Sequence, residues 1–261
     1  MNLSLLRKTA LVNGSTQGIG LACAIALSKL GANCILVARN ADALTDALRQ
    51  LDKSQNQQHR YLVADFDDPE QVRKTTIQIA GGAPVHILVN NSGGPSSGQL
   101  MDAAADEFLL AFNRHLICNH HMARAFVPLM AEAGYGRIIN IISTSVKVPL
   151  PNLGVSNTIR GAVASWAKTL SNEVAGKKIT VNNVLPGATK TQRLQQIIEA
   201  NAAKKHKAVK EIEQSMIKEI PAGRFAEPEE IANLVAFLAS PAAAYITGTS
   251  IPVDGGRTGA I

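Results

Sequence analysis

Residues 9–20 read Thr9-Ala10-Leu11-Val12-Asn13-Gly14-Ser15-Thr16-Gln17-Gly18-Ile19-Gly20, and the fold follows from this stretch. A short apolar run of strand length passes through a glycine-rich turn directly into a helical segment. Glycines allow a tight turn and close approach of backbone, while exposed amides at a helix start favour a pyrophosphate. On this reading Gly14, Ser15, Thr16, Gln17, Gly18, Ile19 and Gly20 line a dinucleotide.

The same alternation continues on both sides of the turn. Strands are predicted at Thr9–Asn13, Cys34–Ala38, Tyr61–Ala64, His86–Asn90, Arg137–Ile142, Thr180–Leu185 and Ser250–Val253. Helices are predicted at Ile19–Leu30, Ala41–Leu51, Pro69–Ala80, Glu107–Ala133, Ser156–Ala175 and Pro228–Leu238. Short strands alternating with longer amphipathic segments specify an α/β fold, a doubly wound Rossmann-type parallel sheet in three α/β/α layers. Doubled apolar pairs such as Ile138-Ile139 and Ile141-Ile142 suit strands covered on both faces. The 261 residues form one dinucleotide-binding domain. The Lys-rich stretch from Ala188 to Glu219 reads as irregular, a mobile substrate flap.

Hydrophobic residues make up 46% and charged residues 18%, which fits a folded enzyme and not a disordered chain. The net charge is +6, yet aromatics are only 4% and no nucleic-acid reading motif is present, so nucleic acid is not an expected partner. Much of the basic excess is local, at Lys204, Lys205, His206, Lys207 and Lys210. It reads as a solvated helix face, with an acidic substrate carrier as the alternative. Cys23, Cys34 and Cys118 are odd in number and lack metal-ligand spacing, pointing to a reducing compartment. No apolar run reaches the roughly 18 residues that span a bilayer, and Met1–Lys8 lacks a signal-peptide core. The expectation is a cytoplasmic protein without membrane association.

An NAD site usually carries an acid at the end of the second strand to hold ribose hydroxyls. Here Ala38-Arg39-Asn40 occupies that place. A guanidinium can pair with a 2′-phosphate, so Arg39 and Asn40 favour NADP(H) over NAD(H).

The glycine turn resembles that of the short-chain dehydrogenase/reductase family, with three residues between its first two glycines. Asn90-Asn91-Ser92-Gly93 is similar to the family's Asn-Asn-Ala-Gly element, and Asn182-Asn183-Val184-Leu185-Pro186-Gly187 to its Pro-Gly turn. Tyr245-Ile246-Thr247-Gly248 through Asp254-Gly255-Gly256 resembles its C-terminal segment. The resemblance covers residues 7 to 256 and is strongest to 3-oxoacyl carrier-protein reductases. It implies Asp65 near adenine, Asn91 with Ser92 and Gly93 near the adenosine ribose, and Pro186, Gly187 and Thr191 at the nicotinamide end. It also implies hydride transfer between nicotinamide and a carbonyl or alcohol, with a 3-oxoacyl thioester as candidate substrate. A homotetramer built on Glu107–Ala133 and Ser156–Ala175 is implied as well.

Family members use Asn, Ser, Tyr and Lys at the catalytic centre. Arg137-Ile138-Ile139-Asn140-Ile141-Ile142-Ser143 resembles the strand delivering the serine, at Ser143. The register set by Lys168-Thr169-Leu170 and Glu173 places Ser156 where the family has Tyr and Arg160 where it has Lys. Counting back from Pro128-Leu129-Met130 puts His115 at the Asn position, with Asn113 as a fallback. A serine hydroxyl is a far weaker acid than a phenol of pKa about 10, and an arginine does not shuttle protons. Ser143 and Arg160 are therefore expected to stabilise an oxyanion, with His115 or a water relay delivering the proton and Lys147 as another donor. The rival expectation is a catalytically inactive NADP(H) sensor or scaffold subunit. His115, His120 and His121 point in helical directions too different for one compact site, so no metal is expected.

Overall fold

A computed structural model, which describes residues 1–82 and 84–260, contains one sheet of seven parallel strands. They are β1 (Thr9–Asn13), β2 (Asn33–Ala38), β3 (Arg60–Val63), β4 (Ile87–Asn90), β5 (Gly136–Ile141), β6 (Ile179–Pro186) and β7 (Ser250–Val253). Their spatial order is β3-β2-β1-β4-β5-β6-β7. The order reverses between β1 and β4, and such a reversal opens a crevice at the carboxyl ends of the strands. β1, β4 and β5 are buried along their whole length, as strands covered on both faces are, and this includes the polar Asn13, Asn90 and Asn140.

The helices are α1 (Gly18–Lys29), α2 (Ala41–Arg49), α3 (Pro69–Ala80), α4 (Ala105–Phe112), α5 (Cys118–Glu132), α6 (Gly154–Val174), α7 (Gln192–Lys205), α8 (Val209–Lys218) and α9 (Pro228–Ala239). One core packs α1, α2 and α9 on one face of the sheet, through Leu27, Leu44 and Val235 against Val12, Leu36 and Val89. The other packs α3, α5 and α6 through Val72, Phe126 and Ala167 against Leu11, Leu88 and Ile138. Pro69 starts α3 behind Asp68, whose carboxylate accepts from the amides of Glu70 and Gln71, which satisfies donors that have no intrahelical partner.

Two expectations change. The segment 188–219 is not irregular: α7 and α8 pack on each other through Leu194, Ile198, Ala202 and Ile212, together with Ile220 and Phe225. The helix expected over 107–133 is divided by a π-helical turn at Asn113–Ile117. An extra residue in a helical turn redirects the side chains on it, and here it faces His115 into the protein.

Along the face covered by α5 and α6 a row of buried amides crosses the sheet. Asn13 donates to Asn90 (3.3 Å), Asn90 to Asn140 (2.9 Å), Asn140 to Asn183 (2.9 Å) and Asn183 to the Ser250 hydroxyl (3.0 Å). Strand register places these residues side by side: Asn90 is opposite Asn140, Asn140 opposite Asn183, and Asn183 opposite Ser250. Asn13 and Asn90 close β1 and β4, Asn140 is one residue from the end of β5, Asn183 is three residues from the end of β6, and Ser250 opens β7. Replacing the central member by an apolar residue strands an amide donor on Asn90 and an acceptor on Asn183. Asn140→Leu is expected to lose about 2 to 4 kcal/mol of stability, read as a lower urea midpoint at unchanged m-value.

Candidate active site

The crevice floor begins at the glycine turn. Gly14 and Gly18 both adopt positive φ, +58° and +54°, a conformation that side chains disfavour. At Gly20 a Cβ would lie 2.1 Å from the Gly14 carbonyl oxygen, so only glycine permits this approach of helix to turn. The N-cap of α1 is Gln17, which makes no side-chain capping bond, and the first turn holds no acid. The leading amides of α1 are therefore left for an anion. Ser15 lies beneath them, fully buried, with its hydroxyl unpartnered.

The loop after β4 is clipped to this turn. The Asn91 amide donates to the carbonyls of Asn13 (3.2 Å) and Gly14 (3.1 Å), so its donor holds the cradle in shape. Ser92 follows, with its hydroxyl 2.7 Å from Nδ1 of His115, and the Gly93 carbonyl accepts from Arg114. Arg114 is paired with Asp67. On the opposite side Arg39 is exposed at the end of β2, while the Asn40 side chain caps α2 by accepting from the Ala43 amide. Asp65 is half-buried after β3, its carboxylate accepting from the Asp67 amide. At the other end of the crevice Pro186 closes β6, and the Gly187 amide donates to Val253. Thr191 caps α7, and its methyl group would lie 3.1 Å from a Cβ at Gly18. The start of α7 thus touches the glycine turn.

Ser143 leaves β5 and caps the short turn Thr144–Val146, its oxygen accepting from the Ser145 amide at 3.1 Å. That use of the lone pair leaves the hydroxyl hydrogen free to donate. Ser156 and Arg160 stand one turn apart on α6, which puts them on one face. Arg160 is buried and donates through Nη1 to the Ile141 carbonyl at 3.1 Å. Burial first, and the charge of Arg193 second, lower its pKa to about 10, which leaves it a cation at neutral pH. His115 is buried with Nε2 unpartnered. Burial, then the charges of Arg160 and Arg114, hold its pKa well below the ordinary value of 6.5.

A family model described as Enoyl-(Acyl carrier protein) reductase matches residues 14–258. The 3-oxoacyl-[acyl-carrier-protein] reductase FabG of Pseudomonas aeruginosa is 35% identical over 258 residues, covering 97% of this chain and 98% of that protein. The D-beta-hydroxybutyrate dehydrogenase of Rhizobium meliloti is 33% identical, covering 97% and 99%. The crystal structure of L-sorbose reductase from Gluconobacter frateurii, complexed with NADPH and L-sorbose, superposes with a TM-score of 0.93 at 32% identity and full coverage of both chains. The chain belongs to the short-chain dehydrogenase/reductase family.

For a short-chain dehydrogenase/reductase the distribution of phenols is unusual. The chain has three tyrosines. Tyr61 meets Thr45, Tyr135 donates to the Ala239 carbonyl, and Tyr245 is fully exposed. None of these contacts belongs to the crevice. The fallback residues Asn113 and Lys147 are both exposed. The expectation of His115 as a proton donor is corrected in one respect, since at neutral pH its imidazole is neutral. Three contributors escaped the sequence reading. Asn157 anchors the loop before α6 by pairing with both backbone groups of Leu150. Ser145 is buried with its hydroxyl unpartnered. Arg193 on α7 donates to the Pro95 carbonyl at 2.5 Å. A cation two residues after the α7 cap was the signal for Arg193.

His115 links the site to acid stability. Its unfolded imidazole titrates near 6.5 and its folded one well below, so under 6.5 the unfolded chain binds the proton first and stability falls with pH. The slope from one such group is at most about 1.4 kcal/mol per pH unit. His115→Asn is expected to flatten the fall in urea-unfolding free energy between pH 6.5 and 5 relative to the parent. A second expectation concerns the cradle: Gly20→Ala forces the turn open and is expected to weaken dinucleotide binding more than about tenfold, read by calorimetric titration.

Proposed function

We propose that this protein is an NADP(H)-dependent reductase that moves hydride between the nicotinamide and a carbonyl or alcohol carbon, with a 3-oxoacyl thioester among its candidate substrates. The observation carrying this reading is the uncapped, glycine-walled start of α1 above the buried Ser15 hydroxyl. Such a cradle suits a pyrophosphate, and the NADPH complexes among the solved relatives support the choice of dinucleotide. Arg39 stands for the 2′-phosphate, Asn40 beside it, and Asp65 and Asn91 flank the adenosine side. Ser92 and Gly93 continue the Asn91 loop on the adenosine ribose side, and Pro186, Gly187 and Thr191 serve the nicotinamide end.

When bound, the reduced cofactor supplies the hydride. The chain supplies the rest. Ser143 donates its hydroxyl hydrogen to the substrate oxygen, and Arg160 holds the ribose while stabilising the negative charge that develops there. Ser156 widens the site by the volume of the missing phenol and offers a hydroxyl to an ordered water. His115 is a neutral imidazole with Nε2 free, suited to orient that water and not to donate an imidazolium proton. Proton delivery by water, with no titrating phenol or ammonium, is the reading that the desolvated histidine and fixed guanidinium support.

We place the chain in a reducing compartment, the cytoplasm, because Cys23, Cys34 and Cys118 are buried free thiols, with burial pushing the first two up to about 12. No helix among the described residues is long and apolar enough to cross a membrane. Assembly as a homotetramer through α4, α5 and α6 would cover Leu109, Leu110 and Phe112, which are exposed on α4.

The test is NADPH oxidation by the purified protein across ketones and a 3-oxoacyl thioester, with NADH as comparison. Ser143→Ala is expected to lower kcat by about a hundredfold or more, and Arg39→Asp to reverse the preference for NADPH over NADH. Tight NADPH binding with no turnover on any carbonyl would replace this reading by that of an NADP(H) sensor or scaffold.

A further inference from the structure

Two guanidinium groups flank one short piece of backbone in the crevice, the Gly94–Pro95 segment after β4. Nη2 of Arg160 lies 3.7 Å from the position a Cβ would take on Gly94, and Nη2 of Arg193 donates to the Pro95 carbonyl. Arg160 comes from α6 and Arg193 from α7, so the fold brings like charges together from separate helices. Neither takes part in the ion pairs found among the described residues. The third arginine of the neighbourhood, Arg114, is already paired with Asp67.

An arginine has five N–H donors. Arg160 directs one of them to the Ile141 carbonyl. Burying a cation without a counter-charge is costly, and an arriving anion recovers part of that cost. The ribose hydroxyls expected at Arg160 are neutral and leave its charge unbalanced, while the phosphates are assigned to the amides of the glycine turn and not to this arginine pair. The carbonyl held by Arg160, that of Ile141, is two residues from Ser143, the hydroxyl assigned to the substrate oxygen. An anion resting between the two arginines is therefore close to the reacting carbon.

We propose that the substrate carries a free carboxylate near its reducible carbonyl, gripped between Arg160 and Arg193, so that the enzyme works on oxo acids in preference to their neutral esters or thioesters. This rests on the reductase reading above and narrows its substrate class. Arg193 is the specificity-determining residue of the pair, since it lies outside the cofactor cradle and enters from α7. A planar guanidinium offers a carboxylate two parallel hydrogen bonds, which an ester does not match in charge.

The test is calorimetric titration of the NADP⁺-loaded protein, in which no turnover occurs, with 2-oxopentanoate, acetoacetate and 4-oxopentanoate and the methyl ester of each. At least one acid is expected to bind about tenfold or more tightly than its ester. In Arg193→Gln, a change at a residue that keeps part of its surface in solvent, that preference is expected to collapse while NADP⁺ affinity is retained. The proposal is overturned if no acid outbinds its ester, or if the preference survives in Arg193→Gln. Failure of the parent to bind NADP⁺ at all would strike the reductase reading itself, and this inference with it.

Discussion

The row of amides from Asn13 to Ser250 is the constraint on which the rest of the structure depends. Each member is buried or nearly so, and a buried amide without a partner costs more than a hydrogen bond contributes. The four hydrogen bonds of the row form only if β1, β4, β5, β6 and β7 stand in one register. Because Asn13, Asn90 and Asn140 sit at or next to the carboxyl ends of β1, β4 and β5, and Asn183 three residues before the end of β6, fixing their register also fixes where each functional loop departs. Asn91 follows Asn90 and clips the glycine turn, Ser143 follows Asn140 by three residues, and Pro186 follows Asn183 by three. The cradle and the reacting centre thus share one foundation.

On that foundation the two ends of the crevice have diverged in different degrees. The glycine turn keeps every feature an incoming pyrophosphate needs. On the proposed assignment the reacting end holds a buried guanidinium, Arg160, and a neutral imidazole, His115, in place of a phenol and an ammonium. These features are mutually consistent: burial disfavours an imidazolium at His115, and the permanent cation of Arg160 disfavours it further. The proposed centre is one of hydroxyls and fixed charge, suited to stabilise an oxyanion and to take its proton from water.

How much of this was legible in the sequence depended on whether the cause was local. The glycine turn, the helix start at Pro69 and the missing acid at Arg39 are local, and they were read directly. Ser156 and Arg160 could be placed together on one helix, α6, because the helix register is local. The amide row was not visible, although each asparagine was, because strand neighbours in a parallel sheet are set by crossovers tens of residues long. The helix α7 was missed for a different reason. Leu194, Ile198 and Ala202 recur at helical spacing, but the lysines around them made the stretch read as solvated loop, and the small core they share with Ile212 and Phe225 is non-local. For His115 the position was readable and the protonation state was not, since the burial that keeps it neutral, and the Arg160 charge that adds to it, come from tertiary packing.

The central claim is that this short-chain dehydrogenase/reductase works without a titrating proton donor. The most direct measurement is the pH dependence of kcat/KM for NADPH-dependent reduction between pH 6.5 and 9, a range in which Ser143, Ser156 and Arg160 keep one protonation state. The account predicts a level profile across that window. A limb of unit slope within it would show that an ionising side chain delivers the proton, and would contradict the account.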